Sequence, residues 1–322
     1  MNGNKIIKKI KKEEPEIKSI FFVGCGASKA ELYPGKYLIE SKAKNLHVRH
    51  YSSNEFVHAT PLLLDNKSIV ITCSHGGTTP ETVKAAKMAK EMGAHVISVT
   101  NDSTSKLAQN GNYISTYEWK EESYQKCEKM GTVLQLAFEI IHKFENYKDY
   151  DKAIDAFNKI YGLIKKAVEL SSSDAQEFAE KYKDEEIFYV MSSGATTEVA
   201  YAYSICLLME MQWINSAAIH TGEYFHGPLE ITDENIPFIL LMNEGRTRPL
   251  DKRALEFLNR FGEKLIILDS KDFGLGEVID PAVVEFFNPM LLTGVLREYA
   301  ERFAVARNHP LTKRRYMWKI EY

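Results

Sequence analysis

The chain has 322 residues, enough for two domains of ordinary size, and its hydrophobic content of 44% is sufficient for buried cores. Its net charge of −3, from 41 basic and 44 acidic residues, excludes the strongly basic character typical of nucleic-acid-binding proteins. No apolar stretch approaches the ~20 residues of a membrane span, and the lysine-rich N-terminus lacks the features of a signal peptide. The four cysteines have no zinc-type spacing. We therefore expect a cytoplasmic protein with no membrane or nucleic-acid partner and no bound metal.

The first half of the sequence alternates apolar strands with helical patterns. Val/Ile-rich strands separated by helices indicate a parallel sheet covered on both faces. Right-handed crossovers then give a doubly wound α/β fold. In such a fold, ligands bind at the carboxyl ends of the strands. The predicted elements, in order, are the strand 19–24, helix 29–42, strand 47–51, strand 68–73, helix 80–92, strand 95–100 and strand 113–117.

The rest of the chain repeats this unit after a helical connector. The segment IFFVGCGASKAEL in the first half aligns with IFYVMSSGATTEV in the second, which indicates two copies of one α/β unit. We expect two flavodoxin-like, doubly wound parallel-sheet domains in tandem, with the first spanning 1–165 and the second 166–322. The remaining predicted elements are the connector helices 132–144, 152–166 and 174–182, the strands 187–191, 216–219, 237–242 and 264–268, and the helices 197–212, 248–261 and 290–308.

The segment 74–82, Ser-His-Gly-Gly-Thr-Thr-Pro-Glu-Thr, connects a buried strand to a helix and has the composition of a phosphate site. Gly76 and Gly77 would let a ligand approach the backbone closely. The helix that follows would direct its free N–H groups and positive dipole end at the turn. The alternative is a capped strand-to-helix turn that binds nothing. The hydroxyl donors in this segment are Ser74, Thr78, Thr79 and Thr82.

Two further segments contain acid–base side chains. Glu210 lies in an otherwise apolar helical pattern, where a carboxylate must find a partner or have its pKa raised, and a raised pKa suits a general base. The alternative is a carboxylate at a helix end that pairs with a lysine. In the segment 221–230, Glu223 and His226 are three residues apart and would share one face of a helical turn. His226 on its own could also be a structural histidine.

Together, the motifs CGAS, SHGGTTPET and GEYFHGPLE resemble those of the sugar isomerase (SIS) phosphosugar-binding family. The resemblance covers nearly the whole chain, and Gly-Glu-x-x-His-Gly-Pro is its most specific motif. The isomerase half of glucosamine-6-phosphate synthase is similar. The fructosamino-acid 6-phosphate deglycases, of the fructose-asparagine and fructoselysine types, are more similar still. The segments that indicate these deglycases are 209–213, 220–230 and the tail 309–322.

The resemblance implies a phosphate site in the first domain. Ser28, Ser74 and Thr79 match positions that hold the substrate phosphate. Family members usually have a serine where this chain has Gly76, so any contact there would come from the backbone N–H. His75 stands where a glutamine is frequent.

The resemblance also implies the catalytic groups. Glu210 matches the carboxylate that moves a proton between C1 and C2, and His226 matches the imidazole that helps to open the sugar ring or protonates a leaving atom. Glu223 belongs to the same motif with a structural role. Lys319 matches the approximate position of a Schiff-base lysine in the synthase relative. A homodimer with its catalytic cleft between subunits is implied as well.

These expectations combine into a deglycase that needs no cofactor. It would convert a 6-phosphorylated fructosamino acid into glucose 6-phosphate and a free amino acid. An aldose–ketose phosphosugar isomerase would use the same base and the same phosphate site. A sugar-phosphate sensor would need neither Glu210 nor His226. An oxidoreductase is disfavoured because Gly24-Cys-Gly26 matches only part of a dinucleotide fingerprint.

Overall fold

The computed structural model describes residues 3–321, which fold into two compact units, each built on a parallel sheet. The first unit runs to Glu121 and also includes Cys127–Asp155. The second comprises Glu122–Lys126 and the chain from Ala156 onward. The boundary expected between residues 165 and 166 stays a prediction.

The first unit has a five-stranded sheet in the order β2-β1-β3-β4-β5, all parallel, which is the flavodoxin-like arrangement predicted from the sequence. Every residue of β1 and β3 is buried, because helices cover both faces of the sheet. The strands are β1 Ser19–Gly24, β2 His47–Ser52, β3 Ser68–Cys73, β4 His95–Thr100 and β5 Tyr113–Thr116. The helices are Gly3–Glu13, Gly26–Lys42, Ser53–His58, Pro80–Glu91, Lys106–Asn110 and Glu128–Glu145.

The second unit has a four-stranded parallel sheet in the order β7-β6-β8-β9, and its strands confirm the second α/β copy. The connector stretches 152–166 and 174–182 belong to one 33-residue helix, Tyr150–Tyr182. The strands are β6 Ile187–Ser192, β7 Asn215–His220, β8 Phe238–Met242 and β9 Leu265–Asp269. The other helices are Thr197–Ala202, the π-helix Tyr203–Met211, Arg248–Phe261, Leu275–Val278 and Asn288–Ala306, with short 3₁₀ turns at Ser123–Gln125, Gly194–Thr196, Pro228–Ile231 and Val284–Phe286.

Among residues 3–321, no helix combines the length and apolarity needed to cross a lipid bilayer.

Candidate active site

The turn after β3 brings two of the predicted phosphate-binding hydroxyls together. Ser74 Oγ and Thr79 Oγ1 share a hydrogen bond of 2.9 Å. Thr79 immediately precedes the helix Pro80–Glu91 and makes no side-chain cap, so it leaves the first N–H groups of that helix uncapped by its hydroxyl. The turn therefore combines hydroxyls with a helix N-terminus, as phosphate sites do.

The two glycines of this turn have different roles. Gly77 has a φ of +63°, and a Cβ there would lie 2.1 Å from Ser105 Oγ, so only glycine fits. Gly76 is exposed, and a Cβ there would meet only Thr78 Oγ1, at 3.9 Å. Gly77 thus sets the shape of the turn, whereas the space at Gly76 is open to a ligand.

Ser28 lies at the carboxyl end of the neighbouring strand, in the first turn of the helix Gly26–Lys42. β1 pairs with β3 in parallel, with Gly24 opposite Cys73, so both turns occur at one edge of the sheet. Lys129 Nζ donates to Ser28 Oγ at 3.2 Å and pairs with Glu31 Oε2 at 2.8 Å. Because the Lys129 side chain is only 5% exposed, a buried ammonium backs the serine.

His75 faces an aromatic pair. Its Nδ1 lies 2.9 Å from the hydroxyl oxygen of Tyr117, and its ring meets Trp119 edge-on at 4.7 Å.

One of the hydroxyls expected in the turn is not available to a ligand. Thr82 is fully buried and bonds Ser53 Oγ at 2.9 Å.

In the second unit, Glu210 lies near the end of the π-helix Tyr203–Met211. The sequence predicted a continuous α-helix over 197–212. π-helical turns are rare and occur frequently at functional sites. Glu210 borders a cleft of about 570 Å³ between the end of this helix and the C-terminal tail. Met209, Trp213, Arg314, Arg315 and Tyr316 also line this cleft.

The partner of Glu210 comes from the tail. Arg314 Nη2 lies 2.8 Å from Glu210 Oε1, and the two side chains are only 8% and 24% exposed, respectively. Burial raises the pKa of the Glu210 carboxyl, and the charge and hydrogen bond of Arg314 partly offset that rise. The upward direction agrees with the sequence argument. The pairing alternative was right about a cation, but the cation is an arginine rather than a lysine.

His226 lies in the turns that follow β7. Residues 221–227 form tight turns, with the backbone N–H of His226 donating to the carbonyl of Glu223 at 2.9 Å. Tyr224 anchors these turns in the core, and His226 and Glu223 are exposed. His226 does not line the Glu210 cleft, and its imidazole has no hydrogen-bond partner among residues 3–321. It is therefore not a structural histidine held by side-chain bonds.

Lys319 is exposed. Its backbone N–H donates a hydrogen bond to the carbonyl of Tyr316 at 2.9 Å. It does not line the cleft, although Arg314, Arg315 and Tyr316 from the same tail do.

Comparison with known proteins is consistent with this geometry. Residues 16–140 match the model of the SIS domain. The chain is 45% identical over 306 residues to fructosamine deglycase FrlB of Bacillus subtilis, covering 95% of this chain and 93% of the relative. The chain belongs to the SIS family. It is also 24% identical to the fructoselysine 6-phosphate deglycase of Escherichia coli, over 94% of this chain and 86% of that protein. A crystal structure from Salmonella typhimurium LT2 superposes with a TM-score of 0.95 at 44% identity, covering 100% of this chain and 98% of that one.

The second SIS copy has an internal carboxylate at the carboxyl ends of its strands. Asp251 is fully buried in the helix Arg248–Phe261. It accepts hydrogen bonds from Ser193 Oγ at 2.7 Å, Thr221 Oγ1 at 2.8 Å and Asn243 Nδ2 at 2.6 Å. These donors follow strands β6, β7 and β8. A side chain of the chain itself therefore satisfies these three donors of the second SIS copy.

Sequence reasoning missed two residues that contact candidate site residues of this SIS protein, Ser28 in the first unit and Glu210 in the second. Lys129 and Arg314 are both buried cations, each paired with an acid. Neither occurs in one of the motifs, and pattern analysis treats isolated lysines and arginines as solvated. The only signal for Arg314 was its place in a tail that resembled the deglycases.

Proposed function

We propose that this protein is a fructosamino-acid 6-phosphate deglycase, which hydrolyses a 6-phosphorylated Amadori compound to glucose 6-phosphate and a free amino acid. The chain is an enzyme of the phosphosugar deglycase and isomerase type, because its relatives over 95% and 94% of its length are deglycases. The proposal adds the substrate, the products and the residues that act. We also propose that it works in the cytoplasm.

The observation that supports the chemistry best is the state of Glu210. A general base is most effective when its pKa lies closer to the working pH than that of an ordinary carboxyl. Burial provides this shift, and the ion pair with Arg314 keeps the group ionised and fixed in the cleft. A purely structural salt bridge would have no need of a 570 Å³ cleft beside it.

The reaction then needs one proton moved from C1 to C2, a second moved from the amine to the C2 oxygen, and one water added. In the open-chain substrate, C1 carries the amine and two hydrogens, and C2 is the ketone. Glu210 removes a C1 proton while the C2 oxygen takes up a proton from solvent, which gives the enaminol. Glu210 then returns its proton at C2 and the amine nitrogen releases a proton to solvent, which leaves an imine at C1. Water adds to this imine, and the C1–N bond breaks to release the amino acid and the aldehyde of glucose 6-phosphate.

The phosphate site of the first SIS copy would supply binding energy away from the reacting carbons. We propose that the hydroxyls of Ser28, Ser74 and Thr79 and the backbone N–H of Gly76 hold the phosphate dianion. Lys129 would support it by donating to Ser28, since that leaves the serine hydrogen free for a phosphate oxygen. Remote anchoring of this kind positions reacting groups at little further entropic cost.

We propose that a homodimer completes the site, with His226 acting from the neighbouring subunit. The proposal is supported by the exposure of His226 and by its absence from the lining of the Glu210 cleft. Lys319, which also lies outside that lining, would then approach the sugar only when the tail or the neighbour moves.

Subunit complementation tests the dimer proposal. Glu210→Gln and His226→Gln chains, each inactive alone, are co-expressed at equal levels. If the two residues act in trans, half of the dimers are mixed and each has one intact site, so about a quarter of wild-type activity returns. If both residues act within one chain, no activity returns. As the control, the two variants are expressed and purified separately and combined only at the start of the assay.

A product assay tests the function itself. The purified protein is incubated with 6-phosphofructosyl conjugates of glycine, asparagine and lysine, and glucose 6-phosphate and free amino acid are quantified. Equal amounts of the two products would support the deglycase. An aldose–ketose isomerase would instead interconvert two sugar phosphates and release no amino acid. Inactivity toward both substrate classes would favour a sensor.

A further inference from the structure

The Glu210 cleft carries more positive charge than its own acid neutralises. Arg314 is compensated by Glu210. Arg315 lines the same cleft, and its guanidinium lies 4.5 Å from the ring centroid of Trp213. Lys313 places its ammonium 5.0 Å from that same ring. Within residues 3–321, neither Arg315 nor Lys313 has a carboxylate partner, so two cations share one indole without an acid.

The indole beneath these cations is held in an unusual backbone conformation. Trp213 has a φ of +58°, a left-handed conformation that bulky residues rarely adopt. Its ring also meets His309 edge-on at 4.6 Å, which helps to fix the ring. Strain of this kind clusters at functional sites, where the surrounding structure maintains it. Trp213 therefore acts as a fixed platform in the cleft.

We propose that Arg315, resting on Trp213, binds the carboxylate of the amino acid that the sugar carries. The inference rests on the proposed function, because that substrate is what brings a carboxylate into the Glu210 cleft. A guanidinium is suited to the role, since its planar donors match the two oxygens of a carboxylate. Stacking on the indole orients the guanidinium in advance, so less freedom is lost on binding.

The charge balance of the cleft agrees with this assignment. The negative charge of the sugar phosphate lies at the end of the substrate opposite to the amino acid. The charges of Glu210 and Arg314 cancel each other. An amino-acid carboxylate would neutralise the surplus charge of Arg315, whereas an unconjugated sugar phosphate would leave it uncompensated. The subsite thus distinguishes a deglycase substrate from the substrate of a simple isomerase.

The test compares two substrates that differ only in the carboxylate. These are the 6-phosphofructosyl conjugates of glycine and of glycinamide, which have nearly the same shape. Wild-type protein, Arg315→Gln and Arg315→Lys are assayed for kcat/KM with each conjugate, and binding is measured by calorimetry. The matched control is Arg260→Gln, because Arg260 is an exposed arginine of the same unit that lies 4.9 Å from the Phe261 ring, outside the cleft.

We expect wild type and Arg260→Gln to prefer the glycine conjugate by about 10- to 100-fold, the range for one charge-assisted hydrogen-bonded pair. Arg315→Gln should lose this preference by losing affinity for the glycine conjugate alone, and Arg315→Lys should keep part of it. Inhibition by glucose 6-phosphate, which has no carboxylate, should be unchanged in Arg315→Gln.

Equal use of both conjugates by wild type would overturn the proposal and leave the deglycase function intact. An Arg315→Gln variant with lower affinity for both conjugates and for glucose 6-phosphate would also overturn it. That result would mean that Arg315 maintains the structure of the tail and does not recognise the carboxylate. If neither conjugate is turned over but calorimetry shows the carboxylate preference, the deglycase function fails and the subsite stands.

Discussion

The turn that we propose binds the phosphate depends on glycine at position 77, and Gly77→Ala tests this dependence. A Cβ at this position would lie 2.1 Å from Ser105 Oγ and 2.4 Å from Ser105 Cβ, both well inside van der Waals contact. Ser105 cannot simply rotate away without loss, because its hydroxyl accepts from Ala108 N and caps the helix Lys106–Asn110.

The cost of this substitution can be worked out from two contributions. Moving an alanine into the left-handed region costs about 1–2 kcal/mol. Forcing an extra methyl group into a packed site costs about 1–3 kcal/mol, and losing the Ser105 cap would cost about 1 kcal/mol. Because the clash and the loss of the cap are alternatives, we expect the free energy of unfolding to fall by about 2–5 kcal/mol.

Urea unfolding followed by circular dichroism measures this change. Gly76→Ala is the matched control, because its φ is not positive and its Cβ would enter open space; it should stay within about 1 kcal/mol of wild type. Adding Ser105→Gly to Gly77→Ala removes the clash and should recover about 1–2 kcal/mol. A Gly77→Ala protein as stable as wild type, or a Gly76→Ala protein equally destabilised, would refute the reasoning.

Three other variants examine the site. Gly76→Ser restores the hydroxyl frequent in the family and should tighten sugar-phosphate binding about 3- to 10-fold by calorimetry; weaker binding would mean that the open space is not the phosphate position. Lys129→Met removes the cation behind Ser28 and should raise KM about 3- to 10-fold with little change in kcat, whereas a fall in kcat alone would contradict a binding role. Arg314→Gln removes the group that holds the pKa of Glu210 down, so the carboxyl takes up a proton at higher pH. The acid limb of the plot of kcat/KM against pH should therefore move to higher pH. An unmoved limb would separate Arg314 from the base.

The parallel sheets were predictable because their strands are short, continuous apolar runs. β1 and β3 are buried along their whole length, and this environment leaves a clear composition signal. The doubly wound arrangement was expected from the right-handed crossover rule. The helix Ser53–His58 was missed because a six-residue helix has too few turns to show periodicity.

The parts of the site that escaped prediction depend on distant contacts. The π-helix Tyr203–Met211 has the same apolar composition as an α-helix, so only its hydrogen bonds distinguish it. Ser171 and Ser172 resemble a helix end in the sequence. Their hydroxyls instead bond to Val168 O and to Arg302 in the second unit, so the helix Tyr150–Tyr182 continues.

Asp251 shows the same limit. In the sequence it is an acidic residue in the first turn of a helix, a favourable and common position. Only the fold shows that its carboxylate accepts hydrogen bonds from Ser193 and Thr221, which follow β6 and β7. The self-match of the two segments therefore predicted two similar folds correctly, but it could not show which side chain accepts the hydrogen bonds of the turns in the second copy.

The most direct measurement of the central claim follows amino-acid release by Glu210→Gln alongside its affinity for the substrate. With a 6-phosphofructosyl amino acid that wild type cleaves, we predict that the variant binds with an affinity close to that of wild type and turns over about 10²- to 10⁴-fold more slowly, because it has lost the base that moves the proton from C1 to C2. Turnover close to wild type would contradict the account.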